Sequence, residues 1–268
     1  MSPMLSGLTT LLPQGGFEAP TIDEFFPPVI AFAGTPFEMN RITLVRIVLL
    51  VAFLICAVLY TRRAKMIPGT AQSTMEYLLD FCRTNISEQV MGKEYAKKYN
   101  GFVTAIFFTV LFMNLGGIIP GLNIAGSAVA GVPLLLAIFV WFLFIIAGIR
   151  AQGFGGYFKS SLFIPNVPKV LYILLTPIEF FSTFLVRPFT LFVRLLANMV
   201  AGHMLLALTI LASNYFLLTA AGGLKVISVI TFLAAIAVTL FELFVAFLQA
   251  YVFAVLTAVY VEQSVHTH

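Results

Sequence analysis

From residue 44 onward, long apolar runs alternate with short basic segments. The first run, about Leu44 to Tyr60, is closed by Thr61-Arg62-Arg63-Ala64-Lys65. Others cover about Phe102 to Pro120 and about Val132 to Ile149, the last followed by Arg150. Each has the ~17–25-residue length of a bilayer-spanning helix. Between the first two lies a polar segment, 61–100, in which Thr74 to Phe81 has helical apolar spacing. That spacing predicts a short amphipathic helix on the membrane surface.

The C-terminal part has a different pattern. Apolar stretches run from about 168 to 212 and from about 224 to 262. As helices they would be roughly 65 and 55 Å long, against a hydrocarbon core of ~30 Å. Either each stretch breaks into shorter helices, with Pro177 and Pro188 as break points, or each is one long, steeply tilted helix. The many polar groups within them favour the second reading. It is an antiparallel hairpin joined near Ser213-Asn214 and Gly222-Gly223. The expected fold is an all-α integral membrane protein of about five embedded helices plus the surface helix. Residues 1–43 form a tail outside the bilayer, and 44–268 form one membrane domain.

Composition agrees with this reading. Of 268 residues, 60% are hydrophobic and only 10% charged, where a soluble domain carries roughly 25%; mean hydropathy is +1.03. The net charge of +4 resides in basic residues beside the apolar runs, a membrane-face pattern that gives no reason to expect a nucleic-acid partner. Segment 61–100 holds Arg62, Arg63, Lys65, Arg83, Lys93, Lys97 and Lys98, whereas 1–43 holds Arg41 alone. The positive-inside rule therefore places 61–100 and 150–169 in the cytoplasm, with the N-terminus outside and the C-terminus cytoplasmic. Arg46, near the outer end of its run, is read as snorkelling. The N-terminal residues lack the basic start and apolar core of a signal peptide. Cys56 and Cys82 show neither metal-ligand spacing nor a disulfide framework; no metal or cofactor is expected.

Ionisable groups inside a bilayer are costly, so each one is a candidate for function. On an ideal helix Arg187, Arg194, Asn198 and Ala201 share a face. Arg187 either snorkels or lines a polar path. Arg194 lies deeper, and because arginine keeps its proton it acts as a fixed charge, never as a relay. His203, nine residues on, points away from that face toward a neighbouring helix. Glu242, in Leu240-Phe241-Glu242-Leu243-Phe244, lies on that neighbour. The two form either a static pair or a proton relay. Gln249 shares the face of Glu242. Glu179 is about 22 Å before Arg194, as an interfacial carboxylate or a channel group. Asn114 near the outer end of its run is suited either to hydrogen-bond between helices or to line an aqueous cavity.

The run Arg187-Pro188-Phe189-Thr190-Leu191-Phe192-Val193-Arg194-Leu195-Leu196-Ala197-Asn198-Met199-Val200-Ala201-Gly202-His203 resembles the signature of the subunit a family of F-type ATP synthases, in its bacterial form. The closing run Gln249 to Tyr260, and Met113-Asn114-Leu115 with Ile118-Ile119-Pro120, resemble two further elements of that family. The resemblance implies a proton-translocating stator subunit of a bacterial cell membrane. Its partners would be a rotor ring of small hydrophobic subunits, peripheral-stalk subunits and the rest of the complex, all within membrane lipid. By position, Arg194 looks like the essential arginine facing the ring carboxylates. Glu179 looks like the carboxylate of the cytoplasmic half-channel. Asn198 accompanies the arginine in the signature, and Asn114, His203, Glu242 and Gln249 look like the outer half-channel or its junction with the arginine. Here the His stands on the first helix and the Glu on the second, the reverse of some members. Acidic residues that some members carry just after the Asn114 position are glycines here. No Gly-rich Gly-Lys-Ser/Thr loop occurs, so ATP chemistry belongs to other chains. A self-contained transporter would be expected to show an internal repeat, and none is visible; a mere scaffold would tolerate loss of the buried polar groups.

Overall fold

The computed structural model describes residues 20–21, 29–31, 39–119, 125–162, 168, 171–218 and 225–266. Most of the expected N-terminal tail, Pro120, Lys169 and the expected Gly222-Gly223 joint lie outside the described residues. A short antiparallel pairing of β1 (Val29–Ala31) with β2 (Met39–Asn40) leads into α1 (Arg41–Arg63). Asn40 caps α1: its Oδ1 accepts from the Thr43 backbone N–H at 3.0 Å, satisfying one of the donors a helix start leaves open.

After α1 come α2 (Thr70–Phe81) and a π-helical turn over Cys82–Glu88. The helix α3 (Gln89–Leu115) follows, with Gly92 at φ 72. Only glycine takes that left-handed backbone at little cost, so the chain turns there from the surface segment into the apolar run. The helix α4 (Gly131–Gln152) is followed by a second positive-φ glycine, Gly153, and by α5 (Phe154–Leu162). Next come α6 (Tyr172–Phe181), a π-helical turn over Ser182–Val186, α7 (Arg187–Leu218) and α8 (Lys225–Val265).

Pro177 and Pro188 do not divide the first C-terminal stretch. The helical rod runs from Tyr172 to Leu218, 47 residues. An unbroken α-helix would set the Pro188 ring against the Phe184 carbonyl. The π turn directly before Pro188 takes up that misfit without ending the rod. At about 70 Å and about 60 Å for α8, both rods exceed the hydrocarbon thickness, so they cross it steeply tilted or project from it. The helix also continues through the expected joint at Ser213-Asn214. Ser213 faces α8 there, and its carbonyl accepts from the Ser228 hydroxyl at 3.3 Å.

Among the described residues, on length and apolar composition alone, four helical stretches can cross a membrane: Arg41–Arg63, Gly131–Gln152, Tyr172–Leu218 and Lys225–Val265. The run expected at 102–120 forms the later part of α3. The earlier part of α3 carries Lys93, Lys97 and Lys98, and its Val103, Ile106, Phe107 and Val110 are buried. The helix α8 is the hub, packed by α3, α4 and α7, while α1 touches the rest mainly through α3. Most apolar side chains of α1 are exposed, as suits a helix facing lipid or another subunit.

Candidate functional site

Three contacts set the register of the α7–α8 hairpin. Ser228 bonds to Ser213 near the loop end. Glu242 lies against Gly202, where an added Cβ would stand 3.2 Å from its Oε1. The Arg187 guanidinium lies over the Tyr260 ring, 5.3 Å from the centroid, in cation–π geometry. The helices are therefore antiparallel, and Arg194 falls between the level of Gly202–Glu242 and the level of Arg187–Tyr260. Nine residues separate Arg194 from His203, about 14 Å, and seven separate it from Arg187, about 10 Å.

The faces of α7 follow from burial. Leu191, Leu195, Met199, His203 and Leu206 are buried, a row at helical spacing turned toward the bundle. Arg194 is exposed on the other side, flanked by exposed Ala197 and Ala201; Asn198 is half-buried beside them. Two small side chains leave the guanidinium unobstructed. Among the described residues Arg194 has no hydrogen bond or ion pair.

From the loop end down to the level of Arg194 the hairpin buries a set of polar groups. His203, Glu242 and Gln249 are 8%, 4% and 7% exposed. Glu242 and Gln249 are seven residues apart on one face of α8. Glycine at 202, next to His203, is what admits the Glu242 carboxylate so closely. Asn114 is buried in the same half of the bundle, since Phe107, two turns before it on α3, meets Phe247 of α8 at 5.7 Å. Its Oδ1 accepts from the Ser127 hydroxyl. Among the described residues its Nδ2, like Glu242 Oε2, has no hydrogen-bond partner; such buried orphans call for an occupant such as water.

Arg46 does not snorkel. Its Nε and Nη2 donate to the carbonyls of Gly126 and Val129, at 2.9 and 3.0 Å. The Gly126 N–H donates to the Met113 carbonyl at 3.0 Å. The segment 125–130 is thus tied down over the end of α3, with Ser127 on Asn114. Gly117 makes room for it, since a Cβ there would meet Ala125 at 3.2 Å, while Gly116 makes room for α1, where a Cβ would meet Leu49 at 2.5 Å.

On the other side of Arg194 a cavity of about 390 Å³ lies among α5, the end of α6, the start of α7 and the last turn of α8. Glu179, Thr183, Arg187, Tyr157, Ser161 and His266 are among its lining residues. Burial raises the pKa of the Tyr157 phenol, with Ser161 and the Arg187 charge pulling it back. Of this set the sequence reading singled out Glu179 and weighed Arg187. The cavity residues of α5 and the end of α8 were missed: serines, a tyrosine and a histidine outside the apolar runs carry no signal without the fold. Among the described residues no group of three His, Cys, Asp or Glu is placed to hold a metal.

The family model for the ATP synthase A chain matches residues 42–262. ATP synthase subunit a of Rhodococcus erythropolis is 46% identical over 96% of this chain and 94% of its own length. Those of Parafrankia sp. and Frankia alni are 36% and 37% identical, covering 99% and 94% of this chain and 90% and 87% of their own.

Proposed function

The chain belongs to the ATP synthase A chain family, and from that premise we propose how its residues move protons. It is a multi-pass membrane protein and the proton-translocating subunit of an F-type ATP synthase. The observation that carries the residue-level reading is the register of α7 on α8. Arg194 stands on the open face of α7, between a cluster of buried polar groups and a polar cavity.

In this reading the outer half-channel runs through Asn114, Gln249, Glu242 and His203. A proton entering there passes between His203 and Glu242, both of which bind and release protons, and neutralises a carboxylate of the rotor ring. The neutral carboxylate can then enter lipid, because the cost of burying its charge is gone. After nearly a full turn it reaches the inner cavity, where Glu179 accepts the proton. Arg194, beside Asn198, faces the ring between the two routes. Its fixed charge favours ionisation of an arriving carboxylate and repels a bare proton, preventing a direct leak. The ring and a peripheral stalk are the partners; the exposed apolar side chains of α1 suit lipid or the stalk. The basic segments put the inner cavity on the cytoplasmic side and the N-terminus outside.

The test replaces Arg194 in the whole complex, reconstituted in vesicles with assembly verified. Arg194→Ala should abolish ATP-driven pumping and proton-driven synthesis while passive leak rises. Arg194→Lys keeps a charge but loses the planar fork and the very high pKa, so it should be severely impaired. Near-normal coupled pumping by assembled Arg194→Ala would reduce Arg194 to a structural residue.

A further inference from the structure

The last turn of α8 is tied to α4. Gln152 of α4 donates through Nε2 to the carbonyls of Ser264 and Val265, at 3.0 and 3.4 Å. Its Oε1 accepts from the Ser160 hydroxyl at 2.6 Å. These bonds satisfy carbonyls that a helix end leaves open. Ser264 and Val265 are buried, and the carbonyl of Ser264 lies so close to Gly148 that an added Cβ would stand 2.8 Å from it. This clamp fixes His266, the residue just past the helix, at the edge of the inner cavity. Its ring is half-exposed and meets Tyr95 of α3 edge-on at 5.3 Å.

His266 Nδ1 is 3.3 Å from Glu262 Oε1 and 3.3 Å from the Glu262 carbonyl oxygen. Both neighbours are acceptors, so Nδ1 carries the hydrogen. That tautomer leaves Nε2 as the nitrogen that takes up a proton. The Glu262 carboxylate, one turn back, holds the Nδ1 side of the ring. The same cavity is lined by Glu179 of α6, Arg187 of α7 and Tyr157 of α5. The cavity is therefore lined by the Glu179 carboxylate and by the half-exposed His266 imidazole, with the Glu262 carboxylate beside that imidazole.

We propose that His266 with Glu262 is the proton-exchange pair at the mouth of the inner cavity, passing protons between cavity water and the bulk. A proton released from Glu179 crosses the cavity water to Nε2 of neutral His266. The imidazolium then gives it to water or buffer outside and returns to the same tautomer. In pumping, the sequence runs in reverse. The inference rests on the reading of this cavity as the inner proton route.

The experiment uses the whole complex in inverted vesicles and compares wild type with His266→Ala, His266→Gln, Glu262→Gln and Glu179→Gln. ATP-driven pumping is followed between pH 6 and 8 at low and at high concentration of a mobile buffer, with imidazole as the probe. Loss of either His266 or Glu262 should slow pumping several-fold at low buffer and change its pH profile. High imidazole should restore the His266 variants, because a mobile base replaces the missing one. A slowing that imidazole leaves untouched overturns the proposal and makes His266 a packing residue. Normal rates in both His266 variants with a block in Glu179→Gln overturn the pair alone. Normal rates in all four overturn the reading of the cavity as well.

Discussion

The Glu242 carboxylate packs against the α-carbon of Gly202, on the residue next to His203; a Cβ there would stand 3.2 Å from Oε1. The hairpin thus holds a buried acid from α8 beside a buried histidine of α7 at a point where glycine alone leaves room. Gly202→Ala requires the carboxylate to give way by a few tenths of an ångström, and Gly202→Val by more. Assembly should survive the alanine variant, with proton flow through the membrane sector reduced. The valine variant should lose flow almost entirely. Rates measured on complexes of equal subunit content check this, and unchanged flow in Gly202→Val would separate Glu242 from the path.

The proposed coupling of His203 with Glu242 has its own test. Replacing either partner by alanine removes a titratable group from a buried site, and each should slow proton flow. The exchange His203→Glu with Glu242→His keeps one acid and one base. It should recover more activity than the single changes His203→Glu or Glu242→His, since groups in one network are non-additive. A double variant no better than the sum of the singles would argue against direct coupling.

At Gly148 the constraint is steric. A Cβ there would run into the Tyr157 ring, a flexible neighbour, and stand 2.8 Å from the Ser264 carbonyl, which is backbone. Overpacking of this kind costs about 1–3 kcal/mol. Gly148→Ala should therefore lower the thermal stability of the solubilised complex and loosen the end of α8. Protease sensitivity of the C-terminus and the melting temperature are the readouts. Gly155→Ala, where nothing lies within 4 Å of an added Cβ, should change neither.

The two native cysteines differ in a way that chemistry can read. Cys82 is fully buried, and burial pushes its thiol up to about 12. The thiolate is the reactive form, and a raised pKa keeps its fraction negligible through neutral and mildly alkaline pH. A water-soluble maleimide should leave Cys82 unmodified up to about pH 9, as judged against the ordinary thiol value near 8.5, and label it on denaturation. Cys56 is exposed on α1, within a spanning stretch, where the reagent does not partition. The native chain is then a quiet background for topology. Lys93→Cys should be labelled from the cytoplasmic side of oriented vesicles, and labelling only from the outside would reverse the proposed orientation.

The sequence by itself determined the class of the protein and the identity of its most exceptional residues. Lipid imposes a one-dimensional constraint: apolar runs of a given length must cross it, and an ionisable residue within them stands out. Arg194, His203 and Glu242 were legible for that reason. The opposed faces of Arg194 and His203 were legible too, because 100° per residue holds along a regular helix. The tertiary structure decided what depends on contacts between distant segments. The π turn before Pro188, the bonds from Arg46 to Gly126 and Val129, and the approach of Glu242 to Gly202 all arise from packing that no local pattern encodes. The cavity beside Glu179 is the clearest case. Its walls come from α5, α6, α7 and the end of α8, and Tyr157, Ser161 and His266 are ordinary polar residues of loop-flanking segments until the packing of these helices gathers them with Glu179.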